Sequence, residues 1–305
     1  VVAVNDNKVF VVIASFNGSK YIEKCIQSVI KNFKIIIVDN NSTDNTLNIC
    51  CKYPHNELIH LNKNIGFGQA NNIGIQKAIS EGADYVFLLN QDAYLGQDCI
   101  EKLIEVHQSN PEYGILSPMH LNGNGTNFDW KFSEYIKRIS SGNLLFDFML
   151  GSTKNVYPLP FVNAAGWLLP KSTVERVGLF DSMFFHYGED ENYCQRVHYH
   201  GLKVGIVPEA LIRHDRESRA RNYMDWNRDL KLVELMLKID LGNINLEKQF
   251  QTKSKILSIG VIKELLKLNF REAYLQYRKL SLLKRLLPEI KKSRKQNKFY
   301  NSGLT

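Results

Sequence analysis

The stretch Val9-Phe10-Val11-Val12-Ile13-Ala14-Ser15-Phe16-Asn17-Gly18 decides the fold. Its six consecutive apolar residues, mostly β-branched, read as a strand buried on both faces, the habit of parallel sheets. Ser15-Phe16-Asn17-Gly18 then breaks the strand with a polar loop. Ile22, Cys25, Ile26, Val29 and Ile30 follow at helical spacing, so a helix comes next.

The same unit repeats downstream. Ile35–Val38 is a second strand, ended by Asp39-Asn40-Asn41, and Ser42-Thr43-Asp44 supply capping side chains for a helix through about Cys51. Leu58–Leu61 is a short strand, and a helix through Ala70, Ile73, Ile75 and Ala78 ends near Gly82. Tyr85–Leu89 is a strand stopped by Asn90-Gln91-Asp92, followed by a helix over Asp98–Gln108 and a strand over Gly114–Met119. This alternation predicts an α/β fold, a mostly parallel sheet with helices on both faces. Residues 120–157 show no clear period, which marks a functional loop or unrecognised elements. Phe161–Leu169 is again apolar, Lys171–Val177 and Glu189–His200 are helices, and the tail from about Leu230 is helical and basic.

With 305 residues and 44% apolar content the chain can bury a large core. No apolar run is long enough to span a bilayer. The five cysteines (Cys25, Cys50, Cys51, Cys99, Cys194) form no Cys-x-x-Cys pair, and reduced core thiols in a cytoplasmic protein are expected over disulfides or zinc. Residues 246–305 hold 15 Lys/Arg against 4 Asp/Glu, a net of +11 within the overall +8. The body is therefore mildly acidic and the tail strongly basic, and the two have different partners.

In a doubly wound sheet, ligands sit beyond the carboxyl ends of the strands. Here three such ends are polar: Ser15/Asn17, Asp39/Asn40/Asn41 and Asn90/Gln91/Asp92. One Asp at a strand end is as often a helix cap as a ligand, but three polar ends in succession argue for a site. Asp39 is placed to accept hydrogen bonds from a base or ribose. Within Asn64-Ile65-Gly66-Phe67-Gly68-Gln69-Ala70-Asn71-Asn72, the glycines permit close backbone approach and Asn71 or Asn72 can reach a ligand. Asp92 offers oxygen to Mg²⁺ or Mn²⁺, which commonly combine few carboxylates with substrate phosphates. Phe184-Phe185-His186-Tyr187-Gly188-Glu189-Asp190-Glu191 sets acids beside aromatics at a helix start. The helix N-terminus is expected to lower the pKa of Asp190, which can still accept a proton late in a reaction.

These segments, in this order over residues 8–216, resemble the inverting glycosyltransferase family 2 with its GT-A fold, most of all its rhamnosyltransferase-like branch. Ala14-Ser15-Phe16-Asn17, Val38-Asp39-Asn40-Asn41-Ser42-Thr43-Asp44, Asn64-x-Gly66-Phe67-Gly68-x-x-Asn71, Leu89-Asn90-Gln91-Asp92 and Glu189-Asp190 carry the likeness. It implies a nucleotide-diphosphate donor, dTDP- or UDP-linked, with rhamnose as the leading sugar. The acceptor would be a saccharide or lipid-linked saccharide. Ser15, Asn17, Asp39 and Asn41 would hold the nucleotide, and Asn64, Gly66 and Asn71 the diphosphate region. Asn90, Gln91 and Asp92 would face the donor, Asp92 with Mg²⁺ or Mn²⁺. Asp190 would be the base and Glu189 its support; Ala165, Gly166 and Trp167 would line the donor and acceptor, unless they are a packed strand. His214 would contact metal or diphosphate, though a lone His is more often structural.

The resemblance also implies a catalytic domain over 1–225, with a nucleotide-sugar half at 8–119 and an acceptor half at 120–225. A basic helical extension would follow over 226–305. Asn90 removes a charge from the metal motif, so the donor's phosphates must supply more of the coordination. Two other readings compete: a nucleotidyltransferase acting on a sugar phosphate, for which Ser15–Lys20 is a poor phosphate loop, and a non-catalytic sugar- or nucleotide-binding module, which leaves both carboxylates unexplained. In the tail, Leu280, Leu283, Leu287 and Ile290 recur at helical spacing among Lys284, Arg285, Lys291 and Lys292. Such a helix suits an anionic membrane surface, placing the protein on the inner face of the cell membrane, or packs on the catalytic domain. The acidic body argues against nucleic acid.

Overall fold

A computed structural model describes residues 7–29, 33–137, 144–216 and 241–298. The chain divides into two compact units, one holding the described residues up to Arg216 and the other those from Leu241 on. The break expected at 225/226 and the helical start expected near Leu230 lie outside the described residues.

In the first unit the order is β1 (Val9–Ser15), α1 (Ile22–Val29), β2 (Lys34–Asp39), α2 (Thr46–Cys50), β3 (Glu57–His60), α3 (Phe67–Ser80), β4 (Tyr85–Leu89) and β5 (Ala93–Leu95). It continues through α4 (Cys99–Ser109), β6 (Tyr113–Asn122), α5 (Trp130–Lys137), α6 (Leu144–Met149), β7 (Tyr157–Pro158), β8 (Gly166–Pro170), α7 (Lys171–Val177), α8 (Glu189–Tyr199) and β9 (Lys203–His214). One sheet runs β3-β2-β1-β4-β8-β6-β9-β5, with β7 also on β9. The β3-β2-β1-β4 part is parallel, as the apolar runs require, and β6 pairs β9 in parallel too. Elsewhere the pairing is antiparallel: β8 separates β4 from β6, and β5 returns along β9.

Two cores explain why β1 reads as unbroken apolar sequence. Phe10 and Val12 pack into one, Val11 and Ile13 into the other, so alternate residues serve opposite sheet faces. Gly74 lets α3 lie flat on β1; a Cβ there would sit 2.3 Å from Val12 Cγ1. Residues 120–157 hold α5, α6 and β7, short elements whose period is lost within a turn or two. Cys25, Cys50, Cys99 and Cys194 are buried thiols and Cys51 is exposed.

The second unit's described part contains α9 (Leu246–Leu266) and α10 (Phe270–Lys298). They form an antiparallel hairpin, with Glu247 bonded to Lys291 and Gly260 facing Gln276. Leu283 and Ile290 are 1% exposed, so of the two alternatives for these residues the structure takes a packed face, not an outward one.

Candidate active site

Parallel pairing ends β1, β2 and β3 in register, with Ser15 beside Asp39 and Asp39 beside His60. Asp39 is wholly buried. It accepts from Ser15 Oγ at 3.2 Å and Ser42 N at 3.1 Å, and His60 Nδ1 lies 2.9 Å away. A carboxylate has about four acceptor positions, so little capacity remains for a ligand. Ser42 and Thr43 do not cap α2. Ser42 Oγ accepts from Asn17 N at 2.9 Å and Thr43 N donates to Asn17 Oδ1 at 2.8 Å, tying the first two strand-end loops together. Asp44 alone does both jobs, accepting from Thr46 N and Ser19 N. Asn17 and Asn41 both hold left-handed backbone, at φ 48° and 66°, in these loops.

Asn40 pins the next loop: Ile65 N donates to its Oδ1, and its amide donates to Asn64 Oδ1 and Gly66 O. Gly66, at φ 89°, passes under the Phe185 backbone, where a Cβ would meet Phe185 O at 2.0 Å. Gly68 lies against Phe180, whose Cβ would sit 3.0 Å from a Cβ added there. Gly66 thus seats the segment before the acids on the start of α3. Asn71 is 1% exposed and donates to Phe67 O, and Asn72 clamps both backbone groups of Phe180. These two amides bind the chain's own backbone.

Asn90-Gln91-Asp92 divides into three roles. Gln91 accepts from Phe16 N at 2.9 Å and donates to Phe16 O at 3.0 Å, so it splices the fourth strand end to the first. Asn90 N donates to Ala165 O, and Asn90 Oδ1 is buried without a hydrogen bond. Asp92 is buried, and the pairing of β5 with β9 puts Ala93 opposite His214. His214 Nε2 therefore stands 3.5 Å from Asp92 Oδ1. Behind the imidazole, Arg216 Nη2 donates to His214 Nδ1 at 3.1 Å, while Arg216 Nε bonds Asp129 Oδ2 at 2.7 Å. Asp129 Oδ1 accepts from Phe132 N and so starts α5. Asp129 and Arg216 were not anticipated from sequence. An Asp just before a helix was a visible cap signal, but only folding joins it to His214.

Asp190 is the second residue of α8, whose start follows Gly188, left-handed at φ 89°. Its Oδ1 accepts from Glu191 N at 2.8 Å. Burial pushes the Asp190 carboxyl above its usual range, against backbone N–H groups of Glu191, Ala164 and Asp190 that pull it down. The lowered pKa expected from the helix terminus is corrected, because desolvation outweighs those N–H groups. Glu189 is 5% exposed and is also pushed up, by burial first and by the Asp190 charge second. Phe185 and Tyr187 are exposed beside the pair, whereas Phe184 is core.

Trp167 takes the packed-strand alternative: it is wholly buried, stacked on Phe180 at 6.0 Å and close to Tyr193. Gly166 packs against Ile212 and Phe87. This segment acts through its backbone: Ala165 O accepts from Asn90 N at 3.0 Å.

A sequence model described as "Glycosyl transferase family 2" matches residues 10–178. The chain belongs to that family. Among its relatives, the dTDP-rhamnosyl transferase RfbF of Shigella flexneri is 22% identical over 68% of this chain and 69% of its own. The rhamnosyltransferase WbbL of Escherichia coli K12 is 24% identical over 79% and 97% respectively. The N-acetylglucosaminyl-diphospho-decaprenol L-rhamnosyltransferase of Mycobacterium tuberculosis H37Rv is 24% identical over 68% and 75%. The mannosyltransferase PcManGT of Pyrobaculum calidifontis, solved with GDP-Man and Mn²⁺, superposes with a TM-score of 0.56 at 15% identity, over 78% of this chain and 64% of that one. The fold of this glycosyltransferase is GT-A, and its sequence is rhamnosyltransferase-like.

Proposed function

We propose that this glycosyltransferase moves a sugar, rhamnose first, from a dTDP- or UDP-linked donor to a hydroxyl of a saccharide or lipid-linked saccharide, inverting the anomeric centre. The observation that carries this is the buried Asp92 at a strand end, with His214 Nε2 3.5 Å from its Oδ1. In this reading Asp92 with His214 would hold the cation, and Asp190, in the first turn of α8, would be the proton acceptor. The rhamnosyltransferase relatives support the donor, and the decaprenol-linked relative supports a lipid-linked acceptor.

In this reading Asp190 takes the acceptor hydroxyl's proton as that oxygen attacks the anomeric carbon opposite the departing diphosphate. A raised pKa makes Asp190 a stronger base than an ordinary aspartate. Glu189, kept protonated by burial and by its neighbour's charge, leaves the negative charge of the pair on Asp190. A carboxylate oxygen and an imidazole nitrogen 3.5 Å apart suit a divalent cation, Mn²⁺ better than Mg²⁺ because of the nitrogen. When bound, that cation neutralises charge on the leaving diphosphate. Among the described residues no group of three or more His, Cys, Asp or Glu is arranged to hold a metal; the donor's diphosphate would supply further ligands. Ser15, Asn17, Asp39 and Asn41 frame the nucleotide side chiefly through the loops they stitch. Contact of the basic C-terminal helices with the inner membrane face belongs to the same reading; among the described residues no helix is long and apolar enough to cross a membrane.

Thermal shift against a panel of nucleotide-diphosphate sugars with Mn²⁺ tests the donor, since a ligand bound by the native state raises its stability. dTDP-rhamnose should give the largest shift. A panel without any response would sink the reading.

A further inference from the structure

We propose that the turn between α9 and α10 is a docking tip that seats the enzyme on an anionic lipid surface; this deepens the membrane contact proposed above. The buried apolar side chains of the hairpin include Phe250, Leu257, Ala273, Leu283, Leu286 and Ile290. The outer face changes character along its length. Ile256, Ile259, Ile262 and Leu266 form an exposed stripe on α9 at helical spacing, and Leu266 is 82% exposed. Leu268 follows in the turn, and Phe270, Tyr274 and Tyr277 stand exposed on α10. On these two helices every exposed large apolar side chain lies between 256 and 277.

Basic residues gather just behind this tip. Lys253 and Lys255 precede the stripe, and Arg278, Lys284 and Arg285 follow it on the returning helix. The facing of Gly260 with Gln276 and of Glu247 with Lys291 puts the two groups at similar heights on the hairpin. An apolar end with aromatics at its margin and a cationic collar matches a membrane interface: acyl chains take the tip, and anionic headgroups take the collar. From Ile256 to the turn is roughly 16 Å at 1.5 Å per residue, enough for one leaflet and too short to cross. The charges within the tip are compatible with this. Lys267 and Asn269 bond Glu264, and Lys263 and Arg271 have stems long enough to carry their charge to the surface.

Leu268 adds an independent sign. It holds left-handed backbone at φ 58°, a conformation that favours glycine or asparagine, yet it presents a 74% exposed leucine. A second copy of the chain is the poorer occupant, because two cationic collars would repel.

Flotation of the full chain with vesicles tests the proposal, using phosphatidylcholine alone and mixed with phosphatidylglycerol. The wild type should float with the anionic vesicles and be released by salt. Ile259→Glu combined with Leu266→Glu should cut recovery about tenfold, and Lys255→Gln combined with Arg278→Gln should remove the preference for anionic lipid. Leu268→Asn suits the turn's backbone and should weaken flotation with helicity unchanged by circular dichroism. Three results overturn the proposal: wild type that never floats, tip variants that float like wild type, or a wild-type dimer that the tip variants split in light scattering. A thermal shift with donor nucleotide and Mn²⁺, unchanged in the tip variants, keeps such a failure separate from the transferase reading.

Discussion

His214 Nε2 stands 3.5 Å from Asp92 Oδ1, two residues 122 positions apart made neighbours by the antiparallel pairing of β5 with β9. A carboxylate and an imidazole give only two of the ligands a divalent cation needs. Mn²⁺ should therefore bind the free protein negligibly and bind well once UDP or dTDP is present. Calorimetry with and without nucleotide checks this, and tight binding to the free protein contradicts it. Asp92→Asn and His214→Ala should each lower nucleotide-dependent Mn²⁺ affinity by at least about tenfold.

Asp129 and Arg216 should matter through His214. Arg216 bridges Asp129 and the imidazole, so Asp129→Asn keeps the acceptor for Phe132 N but removes the charge that anchors Arg216. We expect metal affinity in the nucleotide complex to fall about 10- to 100-fold. Electron paramagnetic resonance of bound Mn²⁺ reads this directly. An unchanged affinity would show that the bridge is only structural.

The acid pair gives a split outcome. Asp190→Asn should abolish transfer, whereas Glu189→Gln should retain a measurable fraction, because a protonated glutamate and a glutamine carry the same charge. Near-normal transfer by Asp190→Asn with none by Glu189→Gln would reverse the assignment.

Glu189 also fixes a sign for stability against pH. Its carboxyl is raised in the folded protein, so the folded state holds that proton more tightly than the unfolded chain. Stability from this group is lost as pH rises from the ordinary glutamate range through the raised value. Glu189→Gln should therefore raise Tm by about 2–4 °C on the alkaline side and by less at pH 5. Scanning calorimetry at both pH values decides; a gain larger at pH 5 contradicts the sign.

Gly66→Ala should damage the site without touching any charged group. The added Cβ meets Phe185 O at 2.0 Å, and the backbone there has φ 89°. Displacing Phe185 moves the segment that carries Glu189 and Asp190. A loss of about 1–3 kcal/mol in stability is expected together with loss of transfer, read by denaturant melts and a donor-turnover assay. Wild-type behaviour in both would remove Gly66 from the argument.

What the sequence determined by itself was local and periodic. The apolar run Val9–Ala14 and its repeats specified buried strands, because a residue packed on both faces of a sheet must be apolar wherever it falls. The polar residues after β1, β2 and β4 located the site edge, because chain direction alone puts those ends together in a parallel sheet. Pairing between distant segments was decided only by the tertiary structure. β5 and β9 bring Asp92 to His214, and Gly66 seats the segment before the acid pair on α3. Burial likewise reassigned residues whose type looked functional: Trp167 became core, Gln91 and Asn72 became backbone clamps, and Leu283 and Ile290 turned inward. A side chain's chemistry is written in the sequence, but whether it meets solvent, ligand or another side chain depends on partners far along the chain.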